Sequence, residues 1–159
     1  MFAPVHIPEL EFLKQLNKAK RRIDFAIFTF AQSSGIDDGL ANAKRLGVGV
    51  KGLLDRKAAN QKWAAKTTLK DAGVTLFTNK TGTGVGKVHH KLMTIDDQLT
   101  IIGSFNYTGA ANLTNGENIV VLGDLDETDP AKRDAQARLA DYASAEIDRM
   151  IRDLAEPLV

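Results

Sequence analysis

The chain contains no cysteine. That absence removes disulfides, cysteine-ligated zinc, iron–sulfur clusters and a thiol nucleophile together, and it suits a reducing compartment. Histidine is scarce as well. With three in the chain, a histidine-based metal site would have to recruit carboxylates. Aromatic residues make up 6%, which argues against a surface rich in base-stacking rings. No apolar run approaches the ~20 residues of a membrane-spanning helix. The start Met1-Phe2-Ala3-Pro4-Val5-His6 lacks the basic beginning and apolar core of a signal peptide. The expectation is a cytoplasmic protein with no stable membrane insertion.

What is present fits an ordinary globular domain: 159 residues, 43% hydrophobic and 26% charged. That length suits one domain over residues 1–159. The net charge of +1 hides a segregation. Residues 44–91 carry eleven basic side chains against Asp55 and Asp71, a balance of +9, whereas residues 92–159 balance at −8. The middle segment is a candidate polyanion surface.

Hydrophobic periodicity predicts a helix over 8–22, with Leu10, Leu13, Leu16 and Ala19 inward, and a buried strand over 23–30. A second helix over 37–46 stops at Gly47, a strand follows over 48–54, and a third helix runs over 60–72 to Gly73. Trp63 falls on that third helix and is read as core. Short strands are expected over 74–77, 88–96, 99–103 and 118–122, with a tight turn at Asp97-Gln98. Asp129 and Pro130 open a C-terminal helix of about 130–154, with Ala135, Leu139, Tyr142, Ala143, Ile147, Met150, Ile151 and Leu154 as its apolar stripe. Alternating helices and strands imply an α/β fold with a mixed, mostly parallel sheet flanked by helices. The loop Gly82-Thr83-Gly84-Val85-Gly86 before Lys87 is not a Walker A loop. Thr81 stands where the first Gly belongs and Val88 where Ser or Thr is required. It is read as a connector.

The chemistry concentrates in Val88-His89-His90-Lys91-Leu92-Met93-Thr94-Ile95-Asp96 and Gly103-Ser104-Phe105-Asn106. On an extended strand His89 and Lys91 share a face, and Ser104 and Asn106 share another pair of positions two apart. The spacing His89-x-Lys91, Asp96, Gly103-Ser104-x-Asn106 resembles the HKD motif of the phospholipase D superfamily at every signature position, over residues 89–106. Glu117 stands where many members carry an acidic residue shortly after the motif.

The resemblance implies a phospholipase D/nuclease-like fold and a phosphodiesterase that works through a phosphohistidine, with no cofactor and no metal. It implies His89 as nucleophile or acid, with Lys91, Ser104 and Asn106 binding substrate oxygens. Glu117 would set the tautomer of His89. Asp96 belongs to the catalytic motif, yet strand parity turns it away from His89, and it is expected to secure the turn and nearby backbone. His6 is read as a surface residue and His90 as a packing neighbour. That mechanism needs two histidines, and one chain supplies half a site. Single-motif members complete it as a homodimer with a shared active site, and the same is expected here. The +9 segment feeding His89 favours nucleic acid, DNA or RNA, as the substrate of an endonuclease. No amphipathic stretch presents large apolar residues for work at a lipid surface. The alternatives are a phospholipid hydrolase of the same chemistry, or the C-terminal half of a two-motif enzyme.

Overall fold

A computed structural model describes residues 1–158. In chain order the elements are β1 (Phe2–Ala3), α1 (Pro8–Lys18), β2 (Arg22–Ile27), α2 (Ile36–Arg45), β3 (Gly49–Leu54), α3 (Arg56–Ala59) and α4 (Lys66–Asp71). They continue with β4 (Thr75–Asn79), β5 (Lys91–Ile95), β6 (Leu99–Gly103), α5 (Gly109–Leu113), β7 (Glu117–Leu122), α6 (Pro130–Leu154) and β8 (Ala155–Pro157). One mixed sheet runs in the order β1-β7-β6-β5-β2-β3-β4-β8.

The mixed α/β sheet is as expected, but its parallel share is smaller. Among the strands of the described residues, β2–β3 and β3–β4 pair in parallel and the other five pairs are antiparallel. Helical crossovers make the parallel part. After β4 the chain returns by the hairpin β5–β6 and by β7, which antiparallel pairing requires. β1 and β8 add antiparallel edges too short to leave a periodic signal.

Alternation along β2 divides the core. Ile23, Phe25 and Ile27 face α1, α2 and α4 together with Phe12, Leu16, Ile36, Leu40 and Leu69. Ala26 faces the other way, toward α6, with Leu53, Leu92, Ile147 and Met150. The predicted stripes need rotation. In α1 the buried face is Phe12, Gln15 and Leu16, with Leu10 exposed. In α6 it is Ala140, Ser144, Ile147 and Met150, with Leu139 and Tyr142 exposed. The predicted helix over 60–72 shortens to α4. Asp55 caps the separate turn α3 by accepting from the backbone N–H of Lys57 and Ala58. A bridge between Ala31 and Ala64 then draws the intervening chain out as a connector. Trp63 lies on that connector and is 45% exposed, so its assignment to the core is wrong.

Candidate active site

Parallel strands deliver their following loops to one rim of the sheet. β2 ends there at Ile27, and β5, pairing antiparallel with it, begins there at Lys91 opposite Ile27. β6 ends at the same rim at Gly103, opposite Ile119 of β7. His89, Lys91, Ser104, Asn106 and Glu117 therefore meet, and with Gly103 they line a cavity of about 430 Å³.

The segment after β6 is held by alternation. Phe105 and Tyr107 are fully buried, and Phe12 packs on both, with ring centroids 5.8 Å and 5.0 Å away. Burying such rings contributes about 2–3 kcal/mol each. It obliges the residues between and before them, Ser104 and Asn106, to face the rim. Asn106 Oδ1 accepts from the backbone N–H of Thr29 at 3.1 Å, which orients the amide and commits its oxygen. Ser104 Oγ donates to Glu117 and accepts from the backbone N–H of Asn118 at 3.0 Å. Gly103 permits this closeness, since a Cβ there would lie 2.1 Å from the Asn118 carbonyl oxygen.

The imidazole of His89 packs on Phe28, with centroids 4.7 Å apart and planes tilted by 48°. Lys91 Nζ sits 5.1 Å from the same ring and donates to the His89 carbonyl at 2.8 Å. Burial holds the Lys91 ammonium below its usual range, while Glu117 pulls it the other way. The site thus combines an exposed imidazole with a partly desolvated cation, an oriented amide and a carboxylate held by a hydroxyl.

The structure places Asp96 away from the cavity, on the backbone as its strand parity predicts, and gives Glu117 a partner other than the His89 ring. Asp96 takes no part in this cavity. It sits at the far end of β5 and accepts from the backbone N–H groups of Lys20, Arg21 and Arg22 at 2.7, 2.7 and 2.9 Å. Strand parity and strand length both carry it away from His89. The turn itself is centred on Asp96-Asp97, both with positive φ, rather than on Asp97-Gln98. The Glu117 carboxylate, expected on the His89 ring, instead binds Ser104 Oγ, because β7 brings it beside the end of β6. His6 is a surface residue that accepts from the Phe2 N–H. His90 turns toward α6, with Nε2 4.0 Å from Glu146.

Two contributors escaped the sequence reading. Phe28, inside the predicted strand over 23–30, lies just past β2, packs on His89 and has the Lys87 and Lys91 ammonium groups 5.9 and 5.1 Å from its ring centroid. Asp55, 1% exposed, also accepts from the Val88 N–H at 3.1 Å and so anchors the backbone one residue before His89. Neither contact has a local signal, since each joins segments far apart in the chain.

The chain resembles known proteins over most of its length. Residues 12–139 match the family described as cardiolipin synthase, PLD-like domain. A protein named phospholipase D from Rickettsia typhi is 36% identical over 112 residues, which are 70% of this chain and 53% of that one. A mitochondrial cardiolipin hydrolase from Chlamydomonas reinhardtii is 33% identical over 113 residues, 71% of this chain and 49% of the relative. The chain spans about half the length of these curated relatives. The crystal structure of Nuc from Salmonella typhimurium, a phospholipase D family member, superposes with a TM-score of 0.82 at 22% identity. That match covers 99% of this chain and 94% of Nuc.

Proposed function

The chain belongs to the phospholipase D-like domain family, and on that premise we propose that it hydrolyses phosphodiester bonds of nucleic acid at a site shared by two copies. One observation carries the reading. His89, Lys91, Ser104, Asn106 and Glu117 line one open cavity, on the rim where lysines without carboxylate partners collect. Lys57, Lys62, Lys80, Lys87 and Lys91 have no carboxylate oxygen within 4.0 Å among the described residues. Such cations suit a phosphate backbone running into the cavity.

The chemistry follows from the side chains. His89 attacks phosphorus through a neutral ring nitrogen, and the bond to the leaving oxygen breaks. His89 of a second copy gives that oxygen its proton. Water then displaces the phosphoryl group, its proton passing to the second histidine. Lys91 and the free amide N–H of Asn106 hold the non-bridging oxygens and offset their charge. Asp96 acts on stability. Glu117 acts on the cavity through Ser104 and through its charge on Lys91.

A second copy also suits the bare surface beside His89. Ile102 and Val120 are paired across β6 and β7, exposed by 38% and 46%, and share a cavity of about 440 Å³ with His89 and Lys91. A second reading, phospholipid hydrolysis, draws on the relatives' names and on one structural observation. Phe2, Val5, Leu10 and Leu113 are exposed by 59–80% around the touching elements β1, α1 and α5. The sequence reading expected no such apolar surface.

The test is a cleavage assay on plasmid DNA, single-stranded DNA, RNA, phosphatidylcholine and cardiolipin, each with excess EDTA. The expected result is nucleic-acid cleavage that persists in EDTA and falls by at least about 10³-fold in His89→Ala. Lipid hydrolysis without nucleic-acid cleavage assigns the second reading. Loss of cleavage in EDTA overturns the metal-free route.

A further inference from the structure

Trp63 is the chain's single tryptophan and is 45% exposed, whereas Phe12, Phe25, Phe105 and Tyr107 are at most 2% exposed. Its pedestal is firmly tied. The Trp63 carbonyl accepts from the Gln32 N–H at 3.1 Å, and the Ala65 N–H donates to the Phe30 carbonyl at 3.0 Å. The stretch it is tied to, residues 28–32, carries Phe28 against His89 and Thr29 against Asn106. At most about 14 Å of extended chain separates Phe28 from Gln32. Trp63 is thus mounted on the backbone that also supports the cavity.

Its surroundings are cationic and polar. Lys57 and Lys62 have no carboxylate partner among the described residues, and Gln32, Ser33 and Gln61 are exposed. Between residues 55 and 66 Trp63 is the single exposed large apolar side chain. A lipid anchor takes several such side chains together, while one flat ring beside unpaired cations fits a base and its phosphates. A duplex keeps its base faces stacked internally, so the ring selects an unpaired base.

We propose that Trp63, with Lys57 and Lys62, forms a subsite that stacks one unpaired base of a single-stranded nucleic acid whose backbone enters the His89 cavity. The subsite rests on the nucleic-acid reading above. It adds an anchoring point a few nucleotides from the scissile bond, and it biases the enzyme toward single strands.

The lone tryptophan reports directly. Full-length protein carrying His89→Ala, which keeps the strand intact, is titrated with a twelve-residue oligothymidylate. It is titrated separately with an abasic strand of the same length and with vesicles containing cardiolipin. Saturable quenching by oligothymidylate and little by the abasic strand is the expected result. With a labelled oligothymidylate, anisotropy should show Trp63→Ala binding roughly 5- to 100-fold more weakly and Trp63→Phe recovering most of the loss. Equal quenching by both strands, or unchanged affinity in Trp63→Ala, overturns the subsite. So does a blue shift on vesicles with no response to oligothymidylate. Cleavage by the wild-type protein on the same strand reads the underlying function independently. Cleavage with no Trp63 effect removes the subsite alone, and base-dependent quenching with no wild-type cleavage removes the nuclease reading alone.

Discussion

Lys91 and Glu117 show how much the setting of one residue decides. Burial makes the Lys91 ammonium easier to lose than an ordinary lysine, and the Glu117 carboxylate resists that loss. Glu117→Gln removes the resisting charge, so the Lys91 pKa falls further and the cation disappears at lower pH. The alkaline limb of the kcat/KM profile should move to lower pH in Glu117→Gln, measured on a chromogenic phosphodiester. Lys91→Met should lower kcat/KM by about 10²- to 10³-fold, the scale of losing one preorganised charge at a developing oxyanion. Asp96 has a different fate although it belongs to the same motif. Asp96→Ala strips the acceptor from three backbone N–H groups. It should cost about 2–4 kcal/mol, read as a lower urea midpoint, with activity following the folded fraction. The motif's residue types were legible from spacing. Which of its residues meet in the candidate site was only half legible. Parity predicted Asp96's direction correctly, but nothing local announced that Glu117 would meet Ser104.

Among the elements, β6 and the start of α6 were read to the residue, because alternation and a side-chain cap are local physics. Asp129 does accept from the Lys132 N–H as the cap requires. The helix predicted over 60–72 keeps only Lys66–Asp71, because tertiary bridging to Ala31 outweighs modest helical propensity in its first part. β1 and β8 have no independent existence and form because a neighbouring edge offers hydrogen bonds. α2 carries a buried cost. Asp37 is 3% exposed in its first turn, and burial together with Asp38 pushes its carboxyl up to about 6. A carboxyl raised on folding binds more protons in the native state between about pH 4 and 6, so stability falls as pH rises through that window. Asp37→Asn should therefore raise the thermal midpoint at pH 7.5, by a stabilisation of about 1–3 kcal/mol. It should also flatten the pH dependence between 4 and 7.

At the scale of the whole molecule, several ion pairs gather away from His89. At the rim opposite His89, Arg21 and Arg22 meet Asp97 at 3.3 and 3.6 Å, Arg22 also meets Asp24, and Lys18 meets Asp126. Farther along that side Lys51 meets Asp148 at 2.5 Å. Acidic residues of the last segment thus pair with several cations there, and at the His89 rim Glu156 meets Arg56 at 3.4 Å while Lys57, Lys62, Lys80, Lys87 and Lys91 have no carboxylate partner among the described residues. Nucleic-acid affinity should fall steeply with added salt, and a filter-binding series from low to physiological salt checks it. In the proposed shared site, the exposed Ile102–Val120 pair is the surface on which a second copy would dock. Sedimentation should give twice the chain mass. Ile102→Asp should give a monomer whose cleavage falls by about 10²-fold or more at the same concentration, because each site is left with His89 of one copy only.

Sequence alone determined what short range controls. Spacing along one strand, a cap, a stop glycine and the alternation of Phe105 and Tyr107 with Ser104 and Asn106 all act within a few residues. They identified the family and most of the candidate site. Tertiary structure decided what depends on strands far apart in the chain lying side by side. It set the antiparallel return of β5 to β7, the Phe28 ring under His89 and Glu117 on Ser104. It also exposed Trp63 beside unpaired lysines. Those contacts arise only when the sheet assembles, since the free energy that holds them comes from burying a core no local segment contains.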